Sequence, residues 1–423
     1  MWKNFAALED HRAHADSPLG HIPIPGREWY GMRGLMTNAP LMIAPGGIEW
    51  ELIEALRGRG IGPREVVEVD DLVLDCARGP VADKIRRCDG IRPFWFGRTE
   101  EELFNELGMP AAITANQMRD LNCKAIFRMI AKQQGFGHLV PLNGVGTTEA
   151  HALETFERIR AMLGHDGHPI PDAAILKQTG LLSGAGMEVH TTTDGVKGYC
   201  RRQLDGKPMI IEAAYLRHMA ASAHWNLSAS GWSRAGTTVN FISGGVCHEG
   251  NLYASHAQPI PGLLLKDMAT MYWIGEHWIR EWWKMGFREM AVGIDFIKVR
   301  GLCGRVRWYA IEPNIFRPPA PRYGFALGEQ IAPRLGGRWA IAQSNVYPAP
   351  GAADNFRELA RLLRGLLFDG KSGAVPTLVE LLPHGKFQAF CVAENGWKAM
   401  RLLTRVKERV GDTKSVAIPD LDR

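Results

Sequence analysis

Two short apolar runs in the second half of the chain carry acids where acids are rarely found, and they constrain the fold more than any other feature. The first holds Ile294, Phe296, Ile297 and Val299 around Asp295; the second holds Val306, Trp308, Tyr309 and Ile311 ahead of Glu312-Pro313-Asn314. Both read as short buried strands by their β-branched and aromatic content. Side chains at i and i+2 of a strand share a face, so Glu312 and Asn314 look the same way. A hairpin through Arg300-Gly301-Leu302-Cys303-Gly304 brings Asp295 alongside them. Three oxygen donors converging on one point suit Mg²⁺, whose octahedron triphosphate oxygens often complete. The alternative is a pair of buried carboxylates matched to Lys298 or Arg305, because buried acids without a partner are rare. The E-x-N step together with the upstream G-x-D favours the metal.

The 423 residues leave room for two or three domains and a substantial core. The composition, 46% hydrophobic and 22% charged, is that of an ordinary globular protein. A net charge of +5 is spread along the chain without a Lys/Arg run or basic–aromatic repeat, so no nucleic-acid partner is expected. Seven scattered cysteines form no C-x-x-C pair, which excludes a zinc framework and points to buried thiols in a reducing compartment. The N-terminus runs at once into Glu9, Asp10, His11 and Arg12, unlike a signal peptide. No apolar run approaches the roughly 20 residues of a membrane span. A cytoplasmic protein with no membrane partner is therefore expected.

The first 110 residues read as a small α/β unit. Pro40 to Ala44 is a strand, Gly46-Gly47 a structural turn, Ile48 to Arg57 a helix and Val66 to Val69 the next strand, a βαβ pattern. From Ala111 the pattern changes. Met118, Leu121, Ala125, Ile126, Met129 and Ile130 recur at helical spacing and predict a helix carrying Asp120, Asn122 and Lys124 near its start. Gly144-Val145-Gly146 reads as a break, and Thr148 as the N-cap of a helix to Leu163. Strands follow at 173–177, 187–191 and 209–215. Leu265 to Lys284 is the strongest helix, with Met268, Met271, Gly275, Trp278 and Trp282 as its inner stripe. The tail holds a helix over 355–366, a strand pair around Pro383-His384-Gly385-Lys386, and a helix over 397–410. The histidines His218, His224, His248 and His256 match no metal spacing and read as structural.

Between the strands at 173–177 and 187–191 lies Gln178-Thr179-Gly180-Leu181-Leu182-Ser183-Gly184-Ala185-Gly186. A lysine, Lys177, at the mouth of such a loop suits a flap over phosphates. The lysine supplies a point charge, and the glycines let backbone N–H groups approach the oxygens. The loop is no Walker motif, since G-K-[ST] is absent and a strand rather than a helix follows.

The order of these parts resembles the ATP-grasp ligases from about residue 111 to residue 340: Lys124 on a helix, Lys177 before a glycine loop, Glu212 ending an apolar strand, then Asp295, Glu312 and Asn314. The resemblance implies an α/β (α+β) ATP-grasp fold over 111–340, with a Rossmann-like pre-ATP-grasp domain over 1–110 and a C-terminal α/β segment over 341–423. It implies ATP contacts from Lys124, Lys177, Ser183, Gly184 and Gly186. The hinge Glu212-Ala213-Ala214-Tyr215 would read adenine, and Asp295, Glu312 and Asn314 would hold Mg²⁺, for which Mn²⁺ could substitute. Within the family the chain looks most like the pheganomycin-type peptide ligases, through Ser183-Gly184-Ala185-Gly186, the E-x-N strand and His384-Gly385-Lys386. That likeness implies a carboxylate–amine ligase in specialised metabolism, releasing ADP and phosphate, acting on small-molecule or peptide carboxylates and amines, as a possible homodimer. Two departures stand out. The subfamily places an arginine two residues after the metal amide, whereas Arg317 stands three after Asn314, in a proline-rich run to Arg322. An arginine often precedes the first metal acid by two residues, and Gly293 stands there. Arg317 and Arg322 are the candidates for the missing catalytic charge. A small-molecule kinase on the same fold, or a non-catalytic ATP-binding protein, are the alternatives.

Overall fold

A computed structural model describes residues 5–8, 27–93, 96–165, 173–179, 187–204, 208–215, 217–243, 247–255, 258–300, 306–315, 319–412 and 414. Among these residues the strands form three sheets. The first contains β1 (Phe5–Leu8), β2 (Leu41–Pro45), β3 (Glu65–Val69) and β4 (Gly90–Pro93), all parallel, in the order β3-β2-β1-β4. Helix α1 (Trp50–Arg57) joins β2 to β3, α2 (Leu72–Ala77) and α3 (Gly79–Arg86) join β3 to β4, and α4 (Arg98–Leu107) follows. The βαβ expectation is met. In the glycine turn, Gly47 takes φ +81, a conformation that favours glycine, and the Glu68 carboxylate accepts the Ile48 N–H at the foot of α1 at 3.0 Å. A protein carboxylate thus takes an amide that a phosphate would need, as a structural turn requires.

The second sheet is antiparallel, built from β5 (Asn143–Gly146), β6 (Ala174–Gln178), β7 (Met187–His190) and β8 (Met209–Ala213) in the order β5-β8-β6-β7. Two helices precede it, α5 (Ala115–Leu121) and α6 (Lys124–Gln133); α7 (Glu149–His165) and α8 (Thr193–Gln203) cover one face. Phe156 and Ile159 of α7 and Val196 and Tyr199 of α8 bury Leu176 and Ile211. By strand alternation Lys177 and Glu212 point to the opposite face. Two expectations are corrected here, and one helix lay outside them. The helix expected through 118–130 is broken at Asn122-Cys123, because the Asn122 side chain accepts the Ile315 N–H at 3.0 Å and donates to Met118 and Ile315 carbonyls instead of continuing the helix face. The glycine break at 144–146 is the edge strand β5. Helix α8 was not anticipated; its two glycines and polar surface mask a buried stripe of Val196, Tyr199 and Cys200.

The third sheet has eight antiparallel strands: β9 (Arg217–Ser228), β10 (Gly231–Ser243), β11 (Cys247–Ala254), β12 (Met290–Arg300), β13 (Val306–Ile315), β14 (Ala340–Val346), β15 (Gly373–Thr377) and β16 (Phe387–Ala393). Their order is β13-β12-β9-β10-β11-β14-β16-β15. The helices are α9 (Leu265–Lys284), α10 (Pro319–Ile331), α11 (Phe356–Leu362) and α12 (Gly396–Val410). Strands from 341–423 therefore continue the sheet that carries the acids. Around Pro383-His384-Gly385-Lys386 the expected strand pair is β15–β16, but residues 379–384 form a 3₁₀ turn between them.

Helix α9 forms as expected, with Met271, Trp278 and Trp282 inside. A Cβ on Gly275 would lie 2.2 Å from the Trp225 ring, so the helix approaches β9 through its missing side chain. Trp278 stacks on Phe127 of α6 at 4.3 Å and donates to the Phe127 carbonyl at 3.0 Å. The core of the large sheet thus holds α6 in place. No helix among the described residues is long and apolar enough to cross a membrane.

Candidate active site

Helix α6 stands between the two antiparallel sheets, and two of its side chains, one turn apart on the same face, reach different sheets. Lys124 puts Nζ 2.9 Å from Glu312 Oε2 on β13. Arg128 puts Nη2 2.6 Å from Glu212 Oε2 on β8. The other oxygen of Glu212 receives Lys177 of β6. Glu212, Lys177 and Arg128 are 2%, 3% and 3% exposed, two cations sharing one buried acid. Burial alone would raise the Glu212 pKa; Lys177 and Arg128 outweigh it, and the net direction is down. Burial, with Arg128 and Lys124 nearby, pulls Lys177 down against the attraction of Glu212. The trio carries a net positive charge of one, which acts on Glu312 of the large sheet.

On the large sheet the hairpin pairs Asp295 with Glu312 and Gly293 with Asn314, with a register shift just after Asp295. Asp295 Oδ1 accepts the Ser222 hydroxyl at 2.6 Å, and the Asn314 side chain also hydrogen-bonds to Asp295. Ser222 in turn accepts from Asn240 Nδ2 at 2.9 Å, and Asn240 Oδ1 accepts from Thr238 at 3.2 Å. One carboxylate is thereby oriented by strands β9 and β10. Asp295, Glu312 and Asn314 are all half-buried, deep among protein atoms yet still reached by solvent, as at the floor of a cleft. Burial and then the Glu312 charge push Asp295 up to about 7. For Glu312, burial is outweighed by Lys124, Lys177 and Arg128, and it titrates at about 2. Two acids set against each other, one of them reluctant to ionise, form a donor set that a divalent cation would complete. Among the described residues no group of three or more His, Cys, Asp or Glu side chains is placed to hold an ion. The third candidate donor is therefore the Asn314 amide.

The structural alternative for these acids is corrected in one respect. Lys298 bonds Asp267 of α9 at 2.8 Å, with the Trp308 indole on the other Asp267 oxygen at 3.0 Å. Lys298 is three residues from Asp295 and so lies on the opposite face of β12. The cation that does meet Glu312 is Lys124. Arg305 lies outside the described residues, as do Arg317, Ser183, Gly184 and Gly186. Arg322 is buried on α10, the helix packed over β11 and β14. In the hinge, the Ala213 and Ala214 N–H groups donate to the Leu142 and Ala173 carbonyls, and Tyr215 stacks on Tyr309 at 5.1 Å. At Gly293, where an arginine was expected by resemblance, a Cβ would sit 3.0 Å from Nδ1 of buried His224. Burial drives the His224 pKa to about 3, so the ring is neutral. Sequence analysis missed Arg128 and Ser222. The i,i+4 spacing of Lys124 and Arg128 was the available signal for the first; no pattern in β9 marked the second.

No protein-family model matches the chain, and no curated protein matches its sequence. Solved structures do match its fold. An N5-carboxyaminoimidazole ribonucleotide synthetase bound to ADP aligns over 98% of this chain and 98% of its own, at 11% identity and TM-score 0.56. The corresponding synthetase of Thermus thermophilus aligns over 97% and 99%, at 14% identity and TM-score 0.52. Biotin carboxylase of Campylobacter jejuni, solved as a beta-gamma-ATP complex, aligns over 96% of this chain and 91% of its own, at 13% identity and TM-score 0.51. The chain has the ATP-grasp fold, with a Rossmann-like parallel-sheet domain before it.

Proposed function

We propose that the protein is an ATP-dependent ligase that activates a substrate carboxylate as an acyl phosphate and couples it to an amine. The carrying observation is the meeting of two charge sets between two sheets: Lys177, Arg128 and Glu212 on one side, and Asp295, Glu312, Asn314 and Lys124 on the other. Structures of the same fold that were solved with ADP or an ATP complex support a nucleotide between them. Lys124 and Lys177 are the phosphate contacts, and Ser183, Gly184 and Gly186 cover the phosphates. Because two hinge amides already bond within the fold, adenine is read by the remaining groups of Glu212-Ala213-Ala214-Tyr215. Asp295, Glu312 and Asn314 are the residues that would hold Mg²⁺ or Mn²⁺, which would supply neutralisation of the charge that develops on the transferring phosphate.

The chain's own contribution is positioning and charge. Arg128 keeps Glu212 ionised, and Glu212 keeps Lys177 oriented. Ser222 and Asn240 hold Asp295 in one rotamer. A substrate carboxylate oxygen attacks the γ-phosphorus, ADP leaves, and the acyl phosphate is captured by the amine with release of phosphate. Arg322, and Arg317 beyond the described residues, are the candidates for steadying the transferring group. A peptide or other natural-product amide is the product class that fits the pheganomycin-type resemblance.

The test is isotope transfer. With an ¹⁸O-labelled carboxylate substrate, one ¹⁸O should appear in the released phosphate, with ADP and only when the amine is present. AMP among the products would overturn the acyl-phosphate mechanism. Phosphorylated substrate accumulating without any amine requirement would give the kinase alternative instead.

A further inference from the structure

Arg128 has a second side. Its Nη2 bonds Glu212, but Nε and Nη1 are buried without a hydrogen-bond partner, on a residue only 3% exposed. Such donors are costly to leave unmet. Arg128 is one of the residues that line a cavity of about 620 Å³ between α6, the edge strand β5 and α7. That volume is typical of small-molecule sites. Lys177, Glu212, Tyr215, Asp295 and Glu312 are not among its described lining residues, and of the charge cluster described above Arg128 is the member it shares.

The lining has a consistent chemistry. Lys132 and Arg158 join Arg128, against one acid, Glu154, among the described lining residues. Even with the Arg128 charge assigned wholly to Glu212, one positive charge remains. Arg158 is held in place by the Asn143 carbonyl of β5 at 2.9 Å. Val140, Leu142 and Met162 supply an apolar wall.

We infer that this cavity is a second ligand site, taking a small anion with an apolar body, such as an aryl or branched-chain carboxylate, and that it communicates with the nucleotide site through Arg128. An anionic group here bonds Nε or Nη1 and competes with Glu212 for the guanidinium. Glu212 then falls more fully to Lys177, which is less available to phosphate. The two ligands draw on one cluster of cations, so each weakens the other, and by linkage by the same factor.

The probe is 2-naphthoate, followed by calorimetry on the full chain, with 2-naphthalenemethanol as the neutral control. We expect naphthoate to bind at least tenfold more tightly than the alcohol. A Lys132→Glu/Arg158→Glu variant, altered only at the rim, should lose at least tenfold in naphthoate affinity while binding MgADP as before. Saturating MgADP should weaken naphthoate three- to tenfold and then plateau, with the reciprocal effect on MgADP. The inference is overturned by equal affinity for acid and alcohol, by indifference to the rim variant, or by weakening that grows without limit as MgADP rises. The last would place the probe in the nucleotide cleft. Naphthoate binding is read without turnover, so failure of the ligase assignment leaves this test intact.

Discussion

Asp295 and Glu312 differ in character because of what surrounds them, not because one is aspartate and the other glutamate. Glu312 has Lys124 at 2.9 Å and two more cations nearby; Asp295 has Glu312 and uncharged hydrogen-bond donors, with Lys124 only as a weaker influence. An acid whose folded pKa is raised binds more protons in the native than in the unfolded state. Its effect on stability therefore worsens as pH rises from about 4 to the folded value of about 7. Asp295→Asn should leave the metal-free protein unchanged at pH 3, where Asp295 is protonated in the folded and the unfolded chain alike. At pH 8 it should stabilise by about 2 kcal/mol, less than the full shift implies because the site still meets solvent. Denaturant unfolding at the two pH values checks this, and a loss at pH 8 would mean that Asp295 is a structural ion-pair partner. For the same reason Mg²⁺ affinity of the parent protein should rise with pH up to about 7 and level off above it, in a metal titration across pH 5.5–8.5. Glu212 presents the opposite case. Glu212→Gln leaves Lys177 and Arg128 buried without their anion, and should cost about 3–5 kcal/mol in urea unfolding. A change under 1 kcal/mol would show that both cations escape to water.

At the level of elements, α6 places the chemistry because it is tied at both ends to different sheets. Its start is fixed by the break at Asn122, whose amide spans to the backbone of Ile315 at the end of β13. That contact lies one residue beyond Asn314 and two residues before Lys124, so it sets the distance from Lys124 to Glu312 on β13. Asn122→Ala removes the partner of a backbone N–H at Ile315 and should cost about 1–3 kcal/mol. If α6 is a positioning element, the same substitution should raise KM for ATP more than a variant of equal stability elsewhere in the chain. Steady-state kinetics on the two variants separates positioning from general destabilisation.

Over the whole molecule, α6 links the small sheet to the large sheet, and on the proposed function a nucleotide touches both. MgADP should therefore protect amides of β6 to β8 and of β12 to β13 together in hydrogen exchange, while β1 to β4 exchange as before. Protection confined to one sheet would place the nucleotide elsewhere. Mass action alone would make the protected regions harder to unfold, by about 2.7 kcal/mol at a hundredfold excess over Kd.

Local periodicity and residue chemistry were enough to expose the acid hairpin, the E-x-N step, α9 and the βαβ unit, because each is written in one continuous stretch, and the order of lysines and acids, because each stands at the end of such a stretch. The pairing of Asp295 with Glu312 could be foreseen since one short hairpin joins their strands. Strand β9 was not legible, because Ala220-Ala221-Ser222-Ala223 lacks the β-branched density that marks a strand and gains its burial only from neighbours, whereas Thr237-Thr238-Val239-Asn240-Phe241-Ile242 of β10 does carry that density. The bonding of Arg128 to Glu212, 84 residues away, and of Lys124 rather than Lys298 to Glu312, was decided by packing alone. Charge chooses a partner by distance and desolvation in three dimensions, and neither quantity exists along the chain.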